Sequence, residues 1–132
     1  MPEVITVSAV VLRSDDGMVL TVRKRGTARF MLPGGKPEPG EDALAAAVRE
    51  CREEIGVELA PEALELVGAF RTAAANEPGY EVVGTVFTHP APADVAPAAE
   101  IAELRWLDPG ARPLPADLAP LLAEAVLPAL AS

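Results

Sequence analysis

The sequence contains one cysteine, Cys51, so no disulfide can close within the chain. It contains one histidine, His89, and therefore no Cys/His cluster of the kind that holds zinc. Basic residues are scarce: 11 Lys and Arg stand against 20 Asp and Glu, a formal net charge of −9 at pH 7. Non-specific binding to nucleic acid or to an anionic membrane requires a basic surface, and this balance opposes both. It leaves room for a small phosphorylated ligand held through metal. Long apolar runs are missing as well. The run from Val4 is interrupted by Thr6 and Ser8 and ends at Arg13, too short to cross a bilayer, and no basic leader precedes it. The expectation is a cytoplasmic protein. No internal repeat, long linker or Walker phosphate loop is visible.

What is present is a globular composition. Half of the 132 residues are apolar, enough for one domain, residues 1–132, to bury a core. Val4 to Leu12 reads as a buried strand, and Asp15, Asp16 and Gly17 as a turn. Met18 to Val22 reads as a second strand completing a hairpin. Then Arg23, Lys24, Arg25, Arg29 and Lys36, five of the eleven basic residues, fall in a stretch without an acid. As single residues they are as readily the charges of an exposed strand end. As a set, with Arg23, Arg25, Arg29 and Lys36 to the fore, they make a phosphate-binding rim. Phe30 to Leu32 is a short strand, closed by Pro33 and two glycines.

A helix follows. Asp42 is its N-cap, and Leu44, Ala47, Val48, Cys51 and Ile55 recur as its buried stripe. Cys51 on that stripe reads as a small core residue. Gly56 ends the helix. Glu50, Glu53 and Glu54 stand at i, i+3 and i+4, off the stripe and on one face. There they repel one another, and they oppose the macrodipole at the helix C-terminus. A divalent cation relieves both penalties, and carboxylates without thiol or imidazole suit Mg²⁺ or Mn²⁺. A solvated face laced with Arg–Glu pairs is the plainer reading of any one of these charges.

The whole spacing decides between them. Gly35, Glu41, Arg49, Glu50, Cys51, Glu53, Glu54, Gly56 and Val57 resemble the Nudix box, G-x5-E-x7-R-E-U-x-E-E-x-G-U with U apolar. Cys51 stands where Ile, Leu or Val is usual, a change of packing only. The resemblance implies an α/β/α sandwich with a mixed β-sheet; periodicity alone gives only mixed α and β. It implies a hydrolase that cleaves a nucleoside diphosphate linked to another moiety. By position, Glu50, Glu53 and Glu54 are the Mg²⁺ or Mn²⁺ ligands, joined by the Gly34 or Gly35 carbonyl. Arg49 orients a box carboxylate. Glu41 steadies the loop–helix junction or acts through water. The general base is a box Glu such as Glu53, or an acid from a distant loop.

That distant loop lies beyond two more strands, Leu64–Thr72 and Tyr80–His89, and a Pro- and Ala-rich connection. Glu100 is the first candidate for an extra ligand or base and Glu103 the second, ahead of a strand ending at Trp106. An ordinary surface acid at a loop end is the alternative for each. His89 is assigned no chemistry, and Trp106 and Phe87 are expected in the core. A last helix is expected from Asp117 to Val126, ended by Pro128 and covering the sheet with Leu118, Leu121, Leu122 and Val126.

Substrate choice rests on absences. The proline that many ADP-ribose hydrolases of this family carry beyond the box is replaced by Thr72 and Ala73, and the tyrosine of some dinucleoside polyphosphate hydrolases is missing. Elimination favours a (deoxy)nucleoside triphosphate or modified nucleotide, cleaved to a nucleoside monophosphate and pyrophosphate. Nucleotide sugars, dinucleoside polyphosphates and a non-catalytic nucleotide-sensing module stay open. The implied partner is a small nucleotide. Homodimers are frequent among similar proteins.

Overall fold

In the computed structural model, which describes residues 3–131, one mixed sheet lies between two helical layers. The strands are β1 (Glu3–Arg13), β2 (Val19–Lys24), β3 (Gly34–Gly35), β4 (Glu65–Ala73), β5 (Tyr80–Pro90) and β6 (Ile101–Leu107). Their order is β4-β5-β1-β2-β6, with β3 paired to β1. β1 and β5 run parallel from Glu3↔Tyr80 to Arg13↔Pro90; the other pairs are antiparallel. Helix α1 (Ala43–Ile55) covers one face. A C-terminal helical segment, wide turns at Leu121–Val126 followed by α2 (Leu127–Ala131), covers the other. This is the α/β/α sandwich that the box implied.

Alternation along β1 divides the core in two. Val10 and Leu12 pack beneath α1 with Leu20, Val22, Ala47, Cys51 and Ile55. Ala9 and Val11 pack against Leu118, Leu122 and Val126. Asp42 caps α1 by accepting from Ala45 N–H at 2.8 Å, and Gly56 ends it at φ +70°. The expected stripe is shared: Ala46, Ala47, Cys51 and Ile55 are fully buried, Leu44 and Val48 partly.

The hairpin opens soon after its turn, because β1 meets β2 only at Arg13↔Val19. The chain from Phe30 to Gly35 fills the gap. Met31 bridges Val22, and Ser8 and Ala9 pair with Gly35 and Gly34. The short strand expected at Phe30–Leu32 therefore makes only isolated bridges, and the ladder falls on the two glycines. A side chain at Gly34 would strike the Ser8 carbonyl, so backbone approach this close needs glycine.

Three expectations need correction. Glu54 does not lie off the buried stripe; it is 7% exposed, because its carboxylate turns inward to Gly34 N–H. Trp106 is not core but 39% exposed, on an edge strand with no outer neighbour. The last helix starts at Leu121, not Asp117, and runs past Pro128. Asp117 is bound side-on to Arg105 and its carbonyl accepts from Phe30 N–H, so it is not free to start a helix. The Leu127 N–H reaches back five residues to Leu122, and this widened turn accommodates the Pro128 ring that a regular turn would exclude.

Candidate active site

Where β1 and β2 part, a cleft of about 480 Å³ opens. Gly34, Gly35, Lys36 and Glu50 line it on the α1 side, with Lys24, Arg25 and Glu100 from the two strand ends beside them. Its remaining wall is largely apolar, including Ile5, Val7, Val82, Leu121 and Leu122, with Asn76 from the β4–β5 turn.

Arg49 organises the acids. Its side chain is only 13% exposed and forks onto Glu41, Nε to Oε2 at 2.7 Å and Nη2 to Oε1 at 3.0 Å. Its Nη1 reaches Glu50 and Glu53, each at 3.1 Å. Nη2 also donates to the Lys36 carbonyl at 3.0 Å, and Glu38 lies at 3.4 Å from Nε. One guanidinium thus serves four carboxylates. Glu41 in turn accepts from Glu38 N–H at 2.8 Å, which ties the loop to the helix, and the Arg49 guanidinium holds its carboxyl below the ordinary range.

Glu54 is the exception among the box acids. It accepts from Gly34 N–H at 3.0 Å and, among the described residues, has no basic partner at ion-pair distance. Burial pushes its carboxyl up to about 7, over the opposing effects of that hydrogen bond and of Lys24; Glu50 and Glu100 push it the same way as burial. Glu50 lies directly over Gly35, where a Cβ would meet its Cδ at 2.5 Å. These are hard oxygen donors, and the glycine leaves a cradle that a side chain would fill, so the donor set suits a hard divalent cation. Among the described residues no three acids already gather as a ready metal site. Arg49 still occupies Glu50 and Glu53, and Gly34 holds Glu54.

Glu100 is delivered by the backbone. Ala96 and Ala98 N–H groups cap the α1 carbonyls of Ile55 and Glu54, and Ala99 takes the left-handed conformation at φ 51°. The Glu100 carbonyl then accepts from Arg25 N–H at 2.8 Å, beside the register shift between Arg23 and Lys24. Glu103 points elsewhere and pairs with Arg23 at 3.1 Å.

The basic stretch is divided by the fold. Arg25 and Lys36 line the cleft, as does Lys24. Arg23 is committed to Glu103 and the Thr27 carbonyl, and Arg29 donates to the Leu118 carbonyl; neither lines the cleft. Cys51 is sealed, its thiol pushed up to about 12 by burial. His89 is capped, Nε2 accepting from Ala60 N–H and Nδ1 against the Pro90 carbonyl. Sequence reasoning missed Ser8, which faces the box from β1; its one signal was a polar residue on the inward period of an apolar run.

The family profile described as NUDIX domain matches residues 2–127. The chain belongs to the Nudix family. A Bacillus subtilis (strain 168) protein named "Putative 8-oxo-dGTP diphosphatase" is 32% identical over 105 residues, 80% of this chain and 67% of that protein. An RNA pyrophosphohydrolase of Halorhodospira halophila (strain DSM 244 / SL1) is 39% identical over 62 residues, 47% of this chain and 33% of its own length. The MutT protein from Methanosarcina mazei Go1 shares the fold, with a TM-score of 0.70 at 24% identity over 88% of each chain. This Nudix chain is an enzyme of the hydrolase class, and Nudix hydrolases generally use divalent metals. No helix among the described residues is long and apolar enough to cross a membrane.

Proposed function

We propose that this Nudix hydrolase cleaves a small (deoxy)nucleoside triphosphate or modified nucleotide to the monophosphate and pyrophosphate, with Mg²⁺ or Mn²⁺. One observation carries the reading: Glu50, Glu100, Lys24, Arg25 and Lys36 converge on a single cleft beside Gly34 and Gly35. The relative named for 8-oxo-dGTP supports a nucleoside triphosphate.

Glu50, Glu53, Glu54 and the Gly35 carbonyl are the donors that would hold the cation. A bound Mg²⁺ or Mn²⁺ polarises the phosphoryl oxygens, neutralises diphosphate charge and lowers the pKa of the attacking water. Arg49 holds the carboxylates in place until they are needed. Glu41 fixes Arg49 and the loop before α1. Lys24, Arg25 and Lys36 stabilise charge that develops on the phosphates. Glu100, with no ion-pair partner among the described residues, or Glu53 takes the proton from water. The apolar wall from Ile5 to Leu122 seats the nucleoside.

The test is a hydrolysis panel of ordinary and oxidised nucleoside triphosphates, nucleotide sugars and dinucleoside polyphosphates, with Mg²⁺, Mn²⁺ or chelator. The expected result is release of monophosphate and pyrophosphate from the triphosphate class, abolished by chelator. Turnover confined to nucleotide sugars or dinucleoside polyphosphates overturns the substrate. Stabilisation by nucleotide plus metal without any turnover marks a sensing module instead.

A further inference from the structure

Among the described residues, one buried side-chain oxygen has no hydrogen-bond partner: Ser8 Oγ. Ser8 is fully buried. A hydroxyl left unpaired away from water is unfavourable, and alanine would remove it at almost the same volume. Such an atom calls for an explanation.

Two independent features fix where it points. Ser8 has the parity of Val10 and Leu12 on β1, so it faces α1 and not the C-terminal helical segment. It is also the antiparallel partner of Gly35. Partners across such a pair project to the same face, with Cβ positions about 5 Å apart. The Cβ position of Gly35 is where the Glu50 carboxylate sits. The unpaired hydroxyl and Glu50 are therefore neighbours on one face of the sheet. They are not bonded; Glu50 Oε2 accepts from Arg49 at 3.1 Å instead.

We propose that Ser8 is a positioning residue for Glu50, its hydroxyl donating to the Glu50 carboxylate when a divalent cation replaces Arg49 as that carboxylate's main partner. The inference rests on the reading of Glu50 as a cation ligand. A carboxylate oxygen that leaves Arg49 needs a donor to hold its orientation, and Ser8 supplies an uncommitted one on the correct face. Loss of such an outer partner typically weakens metal binding about 10–100-fold.

The experiment is Mn²⁺ titration of the whole chain, followed by the electron paramagnetic resonance of free Mn²⁺, with melting curves in chelator. Wild type, Ser8→Ala, Ser8→Thr and Glu50→Gln are compared. Ser8→Ala is expected to bind Mn²⁺ at least about tenfold more weakly, yet to melt in chelator at or above the wild-type temperature, because an unpaired hydroxyl is gone. Ser8→Thr, which keeps the hydroxyl, is expected to recover much of the affinity. Ser8→Ala binding within about twofold of wild type, while Glu50→Gln loses binding, overturns the role of Ser8 and leaves the function standing. A Ser8→Ala melting point well below wild type in chelator also overturns it, since the hydroxyl would then be a structural bond. Absence of Mn²⁺ binding by wild type, or unchanged binding by Glu50→Gln, overturns both readings.

Discussion

Glu54 beneath α1 and Asp117 on the opposite side of the sheet are both acids that tie down a neighbouring segment, Glu54 through its carboxylate at Gly34 N–H, Asp117 through its carboxylate on Arg105 and its main-chain carbonyl at Phe30 N–H. Their settings differ. Asp117 is 43% exposed and gripped side-on by Arg105, at 2.7 and 2.9 Å, which holds its carboxyl below the usual range. Glu54 is buried with one N–H and no guanidinium, and its carboxyl rises to about 7. The arginines differ likewise. Arg105 has one carboxylate and the face of Phe30, 3.7 Å from the ring centroid. Arg49 has four carboxylates. An acid placed for folding is matched to a cation of the chain; the acids of the box outnumber theirs. The shortfall of positive charge on the α1 side is what a ligand cation would fill.

The largest effect expected from this contrast is on turnover. Glu54→Gln keeps an acceptor for Gly34 N–H but removes the charge, and should lower pyrophosphate release by at least about a hundredfold while the fold is kept. Asp117→Asn should leave turnover within a few-fold, on the order of a surface substitution. Full activity in both Glu53→Gln and Glu54→Gln, measured with Mg²⁺ and with Mn²⁺, would falsify the ligand assignment. Next comes Arg49→Lys. A lysine cannot fork onto Glu41 while reaching Glu50 and Glu53, so the metal-free protein should unfold at a lower urea concentration than wild type. Mn²⁺ should return part of the loss, since the freed carboxylates gain a substitute cation; equal loss with and without Mn²⁺ would count against a shared site.

Glu54 gives the third effect, through pH. Its folded pKa of about 7 lies above the ordinary carboxyl value of 4.5. Between those values the folded state holds a proton that the unfolded chain has released. The stabilisation is complete below about 4.5 and is lost as pH rises through 7, on the order of 3 kcal/mol in all. Urea midpoints in chelator should therefore fall from pH 5 to pH 8, and Glu54→Gln should flatten that slope. A wild-type slope that persists unchanged in Glu54→Gln assigns the proton to another group.

The parts legible in sequence are those set by local rules. The N-cap Asp42, the apolar period of α1 and the stop at Gly56 all depend on residues close in the chain. Charge spacing placed the box on one helix. It could not show that Glu54 turns inward, because that depends on Gly34 N–H arriving from twenty residues away. Nor could it divide the basic stretch. Arg23 and Arg25 look equivalent in sequence, but their positions on β2 and at its end send one to Glu103 and the other to the cleft. Ser8 gained meaning only from its register opposite Gly35. The start of the last helix was misplaced for a similar reason: Asp117 was expected to open it, but Arg105, twelve residues earlier, claims its carboxylate.

The smallest effect belongs to that last pair. The Asp117 carboxyl is held below its ordinary 3.8, first by the Arg105 hydrogen bonds. A depressed acid stabilises the fold above the unfolded pKa and ceases to do so as pH falls through the folded one, here below about 3.8. Because the carboxylate is exposed to solvent, screening keeps the contribution under about 1 kcal/mol. Arg105→Lys should remove most of it, together with the stacking on Phe30, so the variant should be slightly weaker than wild type at pH 7, and the difference should shrink as pH falls below about 3.8. Turnover should not change. A variant that keeps its stability but loses turnover would carry the chemistry to the far side of the sheet, and the division of labour between Arg49 and Arg105 would fail at its weaker end.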